Sequence, residues 1–220
     1  MKHTVIITAG GTGKRMGSEI PKQFLCINDK PILLHTLEVF NKFNPSFEII
    51  LTLPVNWIDY WKKLLTKHHI DINHQIVSGG KERFYSIKNA IDLSNGDTIS
   101  IHDGVRPLVS FNTLKRVFAA IEKNDAVVPC VKIKESIREI DKNKTFSKDR
   151  NKVILVQTPQ TFKRKLIVEA YKRTYKEIFT DDASLVEENG FKITVVDGNE
   201  ENIKITSPQD FLLAKVLLKG

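Results

Sequence analysis

Residues 6–17 read Ile-Ile-Thr-Ala-Gly-Gly-Thr-Gly-Lys-Arg-Met-Gly, and Pro21-Lys22-Gln23 follow shortly after. This stretch joins an apolar run, typical of a buried strand, to a glycine loop that carries three cations. Gly10, Gly11 and Gly13 let the main chain approach a ligand closely, so that consecutive N–H groups can point at an anion. Arg15 and Lys22 add positive charge beside the loop. The segment therefore predicts a site for the phosphates of a nucleotide.

The spacing of this loop disfavours the two commonest phosphate-binding motifs. Counted from Gly11, the loop places Met16 where the dinucleotide motif Gly-x-Gly-x-x-Gly needs its third glycine. It also lacks the pattern Gly-x-x-x-x-Gly-Lys-Ser/Thr of the P-loop. Because glycines are common in ordinary strand-to-helix turns, the phosphate interpretation depends on Arg15 and Lys22.

Beyond the loop, short apolar runs alternate with amphipathic helical patterns to about residue 130, which is typical of a mostly parallel sheet with crossover helices. Strands are predicted at residues 5–7, 48–51, 75–77, 98–101, 126–128 and 193–196. Helical faces are formed by Ile32, Leu33, Thr36, Leu37 and Phe40, and by Leu114, Val117, Phe118 and Ile121 after the helix-start candidate Asn112. Pro208 fits the first turn of a closing helix. The length of 220 residues favours one α/β domain, residues 1–220.

Residues 131–156 depart from this alternation and predict an extended hairpin or arm that leaves the body. Residues 132–152 contain eight basic and four acidic side chains. A solvated, charge-rich hairpin is the simpler interpretation, because the segment has the single aromatic Phe146 and no series of interleaved aromatic side chains that would stack nucleic-acid bases. RNA binding by this arm is retained as an alternative.

The overall composition indicates a globular protein with anionic partners. The net charge is +8, and 41% of the residues are hydrophobic. No apolar run reaches membrane-spanning length or resembles a signal-peptide core, so we expect a cytoplasmic protein. Cys26 and Cys130 lack metal-site spacing and are expected to be packing residues rather than a disulfide.

A second chemical cluster, at residues 101–107, follows a predicted central strand, where parallel sheets bind their ligands. Asp103 is suited to hold a divalent cation or a ligand hydroxyl, and Arg106 to bind a phosphate or pin the carboxylate. A structural Asp–Arg turn is the alternative. His102 is a weaker candidate for a general base, because a phosphate-oxygen nucleophile needs none.

Three further clusters have both structural and functional interpretations. The Gly79-Gly80 pair and Ser86 can contact a base or ribose, whereas Arg83 is interpreted as a surface helix residue. Thr180 is expected to be the N-cap of a helix whose first turn holds acids. Lys204, in an otherwise apolar run, either extends its amine to solvent or reaches a phosphate.

Taken in order from residue 4 to about residue 218, these clusters make the chain resemble the 2-C-methyl-D-erythritol 4-phosphate cytidylyltransferases of the non-mevalonate isoprenoid pathway. The motifs that carry the resemblance are the glycine loop with Arg15 and Lys22, Gly79-Gly80 with Ser86, His102-Asp103-x-x-Arg106-Pro107, Asp149-Arg150, Thr158-Pro159-Gln160, Thr180-Asp181-Asp182-Ala183 and Asn202-Ile203-Lys204-Ile205-Thr206. The chain has Gly104-Val105 where many members have two alanines, and Lys81 where an acidic residue is frequent.

The resemblance implies a three-layer Rossmann-like nucleotidyltransferase fold, with a mostly parallel sheet and a protruding β-arm at about residues 131–156 that forms a homodimer. It implies that CTP and a polyol phosphate react with the help of Mg²⁺ or another divalent cation, with Asp103 as a possible metal ligand and no nucleic-acid or membrane partner. Arg15 and Lys22 are the implied catalytic residues. The implied nucleotide-binding residues are Ala9, Gly10, Gly11, Gly13, Gly80, Lys81 and Ser86. The implied acceptor-positioning residues are Asp103, Arg106, Thr158, Lys204, Arg150 and Ser136, the last two from the neighbouring subunit.

Two other functions are compatible with the sequence. The related ribitol 5-phosphate cytidylyltransferases share the loop and several motifs, although Asp149-Arg150 and residues 180–183 favour the erythritol enzymes. A non-catalytic nucleotide- or RNA-binding protein is the alternative from a different class.

Overall fold

A computed structural model describes residues 1–11 and 20–218 of the chain. The strands are β1 (His3–Thr8), β2 (Cys26–Ile27), β3 (Lys30–Pro31), β4 (Glu48–Leu53), β5 (Gln75–Ser78), β6 (Thr98–Asp103), β7 (Ala126–Lys132), β8 (Ile137–Asp141), β9 (Lys144–Lys148), β10 (Ile154–Val156), β11 (Gln160–Lys163) and β12 (Thr194–Asp197). The α-helices are α1 (Ile32–Phe43), α2 (Ile58–Lys67), α3 (Arg83–Leu93), α4 (Phe111–Ile121), α5 (Arg164–Ala170), α6 (Asp182–Glu187) and α7 (Pro208–Leu217).

The central sheet has the strand order β10-β7-β11-β6-β1-β4-β5, with β12 also paired to β7. Strand β1 is parallel to β4 and β6, β4 is parallel to β5, and β12 is parallel to β7. Strand β11 runs antiparallel between β6 and β7, and β10 is antiparallel to β7. Since the carboxyl ends of β1, β5 and β6 lie at one edge, the loops that follow them are brought together there.

Helices cover both faces of this sheet, because side chains of a buried strand alternate between two apolar environments. In β1, Val5 and Ile7 pack with residues of α1, α2 and α4, whereas Ile6 packs with residues of α3, α5 and α6. The predicted inner faces of α1 and α4 are buried as expected. The predicted three-layer α/β fold is confirmed.

The predicted arm is a hairpin in which β8 and β9 pair with each other and with no strand of the central sheet among the described residues. Every residue in positions 138–156 is exposed. At the base of the arm, β10 pairs with the end of β7 and so anchors it to the sheet edge.

Two predicted helix starts are wrong by one or two residues. Ser110, not Asn112, caps α4, since its side chain accepts the Thr113 N–H. Asp181, not Thr180, caps α6 by accepting the Ser184 N–H. In both cases the residue that caps is the one whose oxygen reaches the third N–H of the helix. Pro208 lies in the first turn of α7 as predicted.

Both cysteines are free thiols, but only Cys130 is buried. The expectation that Cys26 is a packing residue is therefore wrong, because its side chain is exposed in the short strand β2. Within the described part of the chain, no helix combines the length and the apolar character needed to cross a membrane.

Candidate active site

Most of the nucleotide-binding residues expected from the sequence line one cavity of about 390 Å³, here called the smaller cavity. They are Ala9, Gly10, Gly11, Gly80, Lys81 and Ser86, and Lys22, one of the two expected catalytic residues, lines the same cavity. Gln23 stabilises the backbone at the start of the glycine loop, because its side-chain amide donates to the carbonyl oxygens of Ala9 (2.7 Å) and Gly11 (3.0 Å). Arg15 and Gly13 lie outside the described residues.

The second glycine segment packs tightly against the start of α3. The Gly80 N–H donates to Ser86 Oγ at 2.9 Å, and a Cβ built on Gly80 would lie 2.3 Å from the Cβ of Tyr85. A side chain at residue 80 therefore cannot be accommodated without moving the backbone. This close approach explains the glycine and leaves the neighbouring Lys81 exposed at the cavity.

Four of the residues expected to position the acceptor, namely Asp103, Arg106, Thr158 and Lys204, line a second, larger cavity of about 550 Å³. Apolar side chains of β7, β10 and β12 also line it, together with polar and acidic side chains that include Gln157, Gln160, Asp181 and Glu187. Asp103 and Lys204 also line the smaller cavity, as does Arg83. These three side chains form a wall that the two cavities have in common, called the shared wall below.

Asp103 is surrounded by cations. Its Oδ2 accepts from Arg106 Nε at 3.1 Å and lies 3.1 Å from Lys204 Nζ, while Arg83 Nε lies 3.9 Å from Oδ1. Burial opposes ionisation of this carboxyl, but Arg83, Lys204 and Arg106 outweigh burial and hold its pKa well below the usual range. Asp103 is therefore an anion that orders the cations of the shared wall.

Sequence reasoning treated Arg83 as a surface residue, and the structure corrects this. Two guanidinium nitrogens of Arg83 donate to the Asp182 carboxylate at 2.9 and 2.7 Å, and the Tyr171 hydroxyl donates to the same carboxylate at 2.5 Å. Asp182 is 1% exposed. The signal in the sequence was an arginine three residues after a glycine pair, but its partner lies 99 residues away.

Asn202 connects Thr158 and Arg106, by hydrogen bonds, to the segment that contains Lys204. The Asn202 amide donates to the Thr158 carbonyl at 2.9 Å, and Arg106 donates to the Asn202 carbonyl at 2.7 Å. Asn202 is fully buried. The motif that begins at Asn202 therefore holds Lys204 against Asp103 across the end of the sheet.

His102 is unsuited to act as a general base. It is fully buried, and burial lowers its pKa to about 4. Its Nε2 lies 3.0 Å from the Arg106 carbonyl and its Nδ1 lies 3.0 Å from Thr158 Oγ1, so both ring nitrogens are engaged by the chain itself.

The two arm residues expected at the acceptor, Arg150 and Ser136, are exposed and line neither cavity. Arg150 instead donates to the carbonyl of Lys134 within the arm. Within one chain, the fold does not bring these two residues to the two cavities that the other described site residues line.

The residues around Asp103 do not fit a metal site built by the protein. Both carboxylate oxygens face cationic side chains, and a divalent cation there would have to displace them. Among residues 1–11 and 20–218, no group of three or more His, Cys, Asp or Glu side chains is arranged to hold a metal ion. The possible role of Asp103 as a metal ligand therefore finds no support in the geometry.

A glycine loop beside cationic cavities, at the carboxyl edge of a doubly covered α/β sheet, defines a nucleotide-binding enzyme of the nucleotidyltransferase class. The chain belongs to the family IspD, 2-C-methyl-D-erythritol 4-phosphate cytidylyltransferase, whose model matches residues 3–220.

Individual relatives are similar to this chain over nearly its full length. The 2-C-methyl-D-erythritol 4-phosphate cytidylyltransferase of Bacteroides fragilis is 46% identical over 219 residues, which cover 99% of this chain and 100% of that protein. The protein of the same name from Bacteroides thetaiotaomicron is 43% identical with the same coverage. The crystal structure of 4-diphosphocytidyl-2C-methyl-D-erythritol synthase from Anaerococcus prevotii matches with a TM-score of 0.86 at 31% identity, covering 100% of this chain and 96% of that one.

Proposed function

We propose that this chain joins CTP to 2-C-methyl-D-erythritol 4-phosphate, giving the CDP-alcohol and pyrophosphate for isoprenoid precursor synthesis. An oxygen of the acceptor phosphate forms a bond to the α-phosphorus of CTP, and the bond from that phosphorus to the β-phosphate oxygen breaks. The electron pair leaves with pyrophosphate. Family membership over residues 3–220 supports this reaction.

The observation that carries the proposal is the shared wall between the two cavities. A transfer between two phosphate compounds needs the α-phosphorus and the attacking oxygen in contact, with cations beside both. Arg83, Asp103 and Lys204 border both cavities. We place CTP in the smaller cavity and the polyol phosphate in the larger one, so that they meet at this wall.

Each charged group then has a defined task. Arg15 and Lys22 bind the triphosphate and stabilise the charge that builds on its nonbridging oxygens in the transition state. Main-chain groups from Ala9 to Gly11, together with Gly80 and Ser86, hold cytidine. Lys204 and Arg106 bind the acceptor, and Asp103 keeps those cations in place, since it contacts both.

We further propose that residues 1–220 act as one cytoplasmic domain in a homodimer formed through the arm. Arg150 and Ser136 line neither cavity of their own chain, which supports a role in the partner's site. The exposed apolar side chains Ile140, Phe146 and Leu155 of the arm line neither cavity and are suited to an interface. Mg²⁺ is expected to accompany the phosphates of CTP, where substrate oxygens supply most of its ligands.

Pyrophosphate release tests this function. The enzyme is assayed with CTP and, separately, methylerythritol 4-phosphate or ribitol 5-phosphate, and the methylerythritol substrate should give the larger kcat/KM. A preference for ribitol 5-phosphate would identify the related enzyme. Retention of labelled RNA, without pyrophosphate release from either acceptor, would overturn the proposal in favour of a binding protein.

A matched pair of lysine variants adds specificity to this test. Lys22→Ala should lower kcat by roughly 10²–10³-fold, by analogy with loss of one preorganised donor. Lys62→Ala is the control, because Lys62 is 63% exposed on α2 and lines neither cavity. Equal turnover in the two variants would remove Lys22 from the site.

A further inference from the structure

A chain of hydrogen bonds runs behind the wall of the larger cavity. The Asp103 N–H donates to Thr158 Oγ1 at 3.2 Å, Thr158 Oγ1 lies 3.0 Å from His102 Nδ1, and His102 Nε2 lies 3.0 Å from the Arg106 carbonyl oxygen. Thr158 lines the cavity, whereas His102 is fully buried behind it. These four residues belong to two sequence motifs: His102, Asp103 and Arg106 to the cluster at residues 101–107, and Thr158 to the motif Thr158-Pro159-Gln160.

The donor and the acceptor in each hydrogen bond follow from the two terminal groups, since the Asp103 N–H can only donate and the Arg106 carbonyl oxygen can only accept. A carbonyl oxygen only accepts, so His102 Nε2 carries the proton that reaches Arg106. Within residues 1–11 and 20–218, no carboxylate is hydrogen-bonded to the buried ring, which is therefore neutral, and its Nδ1 must accept. The Thr158 hydroxyl consequently donates to Nδ1 while it accepts from the Asp103 N–H.

This leaves the Thr158 hydroxyl with no proton to donate. A hydroxyl has one proton and two lone pairs, and here the proton and one lone pair are used within the protein. The remaining lone pair can only accept. A phosphate at neutral pH presents mainly acceptor oxygens and would meet it lone pair to lone pair, whereas a polyol hydroxyl can donate to it.

We propose that His102 is a positioning residue that makes Thr158 a hydrogen-bond acceptor for a hydroxyl of the polyol, and so excludes the acceptor's phosphate group from this part of the cavity. The inference rests on the proposed function, since it assigns one end of the acceptor site. The phosphate is left to Arg83, Arg106 and Lys204, the positively charged side chains among the described residues that line the larger cavity. Thr158 thus orients the polyol rather than binding its charge.

Two histidine variants separate the two ring nitrogens. In His102→Asn the amide oxygen can replace Nδ1 and still accept from Thr158, whereas in His102→Gln the amide nitrogen can replace Nε2 but leaves the Thr158 proton without its acceptor. With the full-length enzyme, His102→Gln should raise the KM for the polyol phosphate about tenfold with little change in the KM for CTP. His102→Asn should stay within about threefold of the wild type. The reverse order would overturn the proposal.

A double-mutant cycle with Thr158→Val tests whether His102 acts through Thr158. Adding His102→Gln to Thr158→Val should raise the polyol phosphate KM no further, because the hydroxyl that His102 orients is already absent. Thermal unfolding of each variant reports any purely structural effect, which would add in both backgrounds. Independent, additive increases in KM would contradict the positioning role.

Inorganic phosphate serves as a probe of the charged end of the site. Its inhibition constant against the polyol phosphate should be unchanged by Thr158→Val, since phosphate does not contact Thr158. A loss of phosphate binding that parallels the loss of polyol phosphate binding would refute the assignment.

¹⁵N NMR of the histidine rings gives a readout that does not depend on activity. His102 should be neutral at pH 7 with its proton on Nε2. A proton on Nδ1 would overturn the inference even if the enzyme is active, whereas absent pyrophosphate release with the expected tautomer would count against the proposed function alone.

Discussion

Replacing Asp182 by Asn should destabilise the fold and disturb both substrate sites together. Asp182 is 1% exposed and accepts two hydrogen bonds from Arg83 and one from Tyr171. Asparagine keeps the shape but loses the charge, and it must turn an N–H₂ group toward at least one donor. The change therefore breaks a buried ion pair from one side.

The magnitude follows from the surroundings of the pair. Removing one partner of a fully buried ion pair costs about 3–5 kcal/mol. The Arg83 side chain is 35% exposed, so water can solvate the released guanidinium, and we reduce the expected loss to about 2 kcal/mol. For a chain of this size, about 2–4 °C of Tm accompanies each kcal/mol, so Tm should fall by roughly 4–8 °C.

An exposed ion pair provides the matched control. Glu169 and Lys172 lie 2.6 Å apart, but their side chains are 60% and 67% exposed. Glu169→Gln, which makes the same chemical change at the surface, should cost less than about 0.5 kcal/mol. Thermal unfolding followed by circular dichroism compares the two variants directly.

The kinetic consequence is specific to the shared wall. Without Asp182, the Arg83 guanidinium is no longer held 3.9 Å from Asp103, and both cavities border on it. We expect the KM values for CTP and for the polyol phosphate to rise together. A Tm shift no larger than that of Glu169→Gln, together with unchanged KM values, would refute the assignment of Arg83 to the shared wall.

Three further predictions concern the charges of the site. Lys204→Ala should raise the KM for the polyol phosphate and lower kcat, because Lys204 is one of the two cations in contact with Asp103 Oδ2. Kinetics varying each substrate should show a smaller rise for CTP, and a larger one would move Lys204 to the nucleotide side. Mixing Arg15→Ala chains with Arg150→Ala chains should restore activity, because one site of each heterodimer then holds both intact residues. No recovery after verified subunit exchange would contradict the shared site. Acid should destabilise the protein partly through His102, whose pKa burial lowers from 6.5 to about 4. Between these values the unfolded chain binds a proton that the folded chain excludes, so stability present above pH 6.5 is lost as the pH falls, by about 3 kcal/mol in total. Urea unfolding measured from pH 7 to 4 should show that the free energy of unfolding depends less steeply on pH in His102→Asn than in the wild type. An equal pH dependence in the two proteins would rule out this contribution of His102.

Local patterns in the sequence were sufficient for the layers of the fold. The apolar runs of β1, β4, β6 and β7 and the inner faces of α1 and α4 are buried as predicted, since the spacing of apolar residues follows directly from strand and helix geometry. Strand β5 forms as predicted, but it lies at the end of the sheet and only Val77 of its apolar run is buried. The same patterns predicted the arm, because its charged, weakly alternating sequence has no face to bury. The helix caps at Ser110 and Asp181 were missed, because several adjacent polar residues qualify and the backbone angle at the turn selects one of them.

The sequence by itself determined the class of chemistry, because five clusters, including the glycine loop with its flanking cations, match one enzyme family over nearly the whole chain. Only the tertiary structure decided how the charged groups are paired. Arg83 with Asp182, Lys204 with Asp103 and Asn202 with Thr158 are brought together across 99, 101 and 44 positions. Local sequence periodicity does not predict such pairs, because they form where the ends of particular strands meet at the sheet edge. Burial then determines the charge and the tautomer of each group.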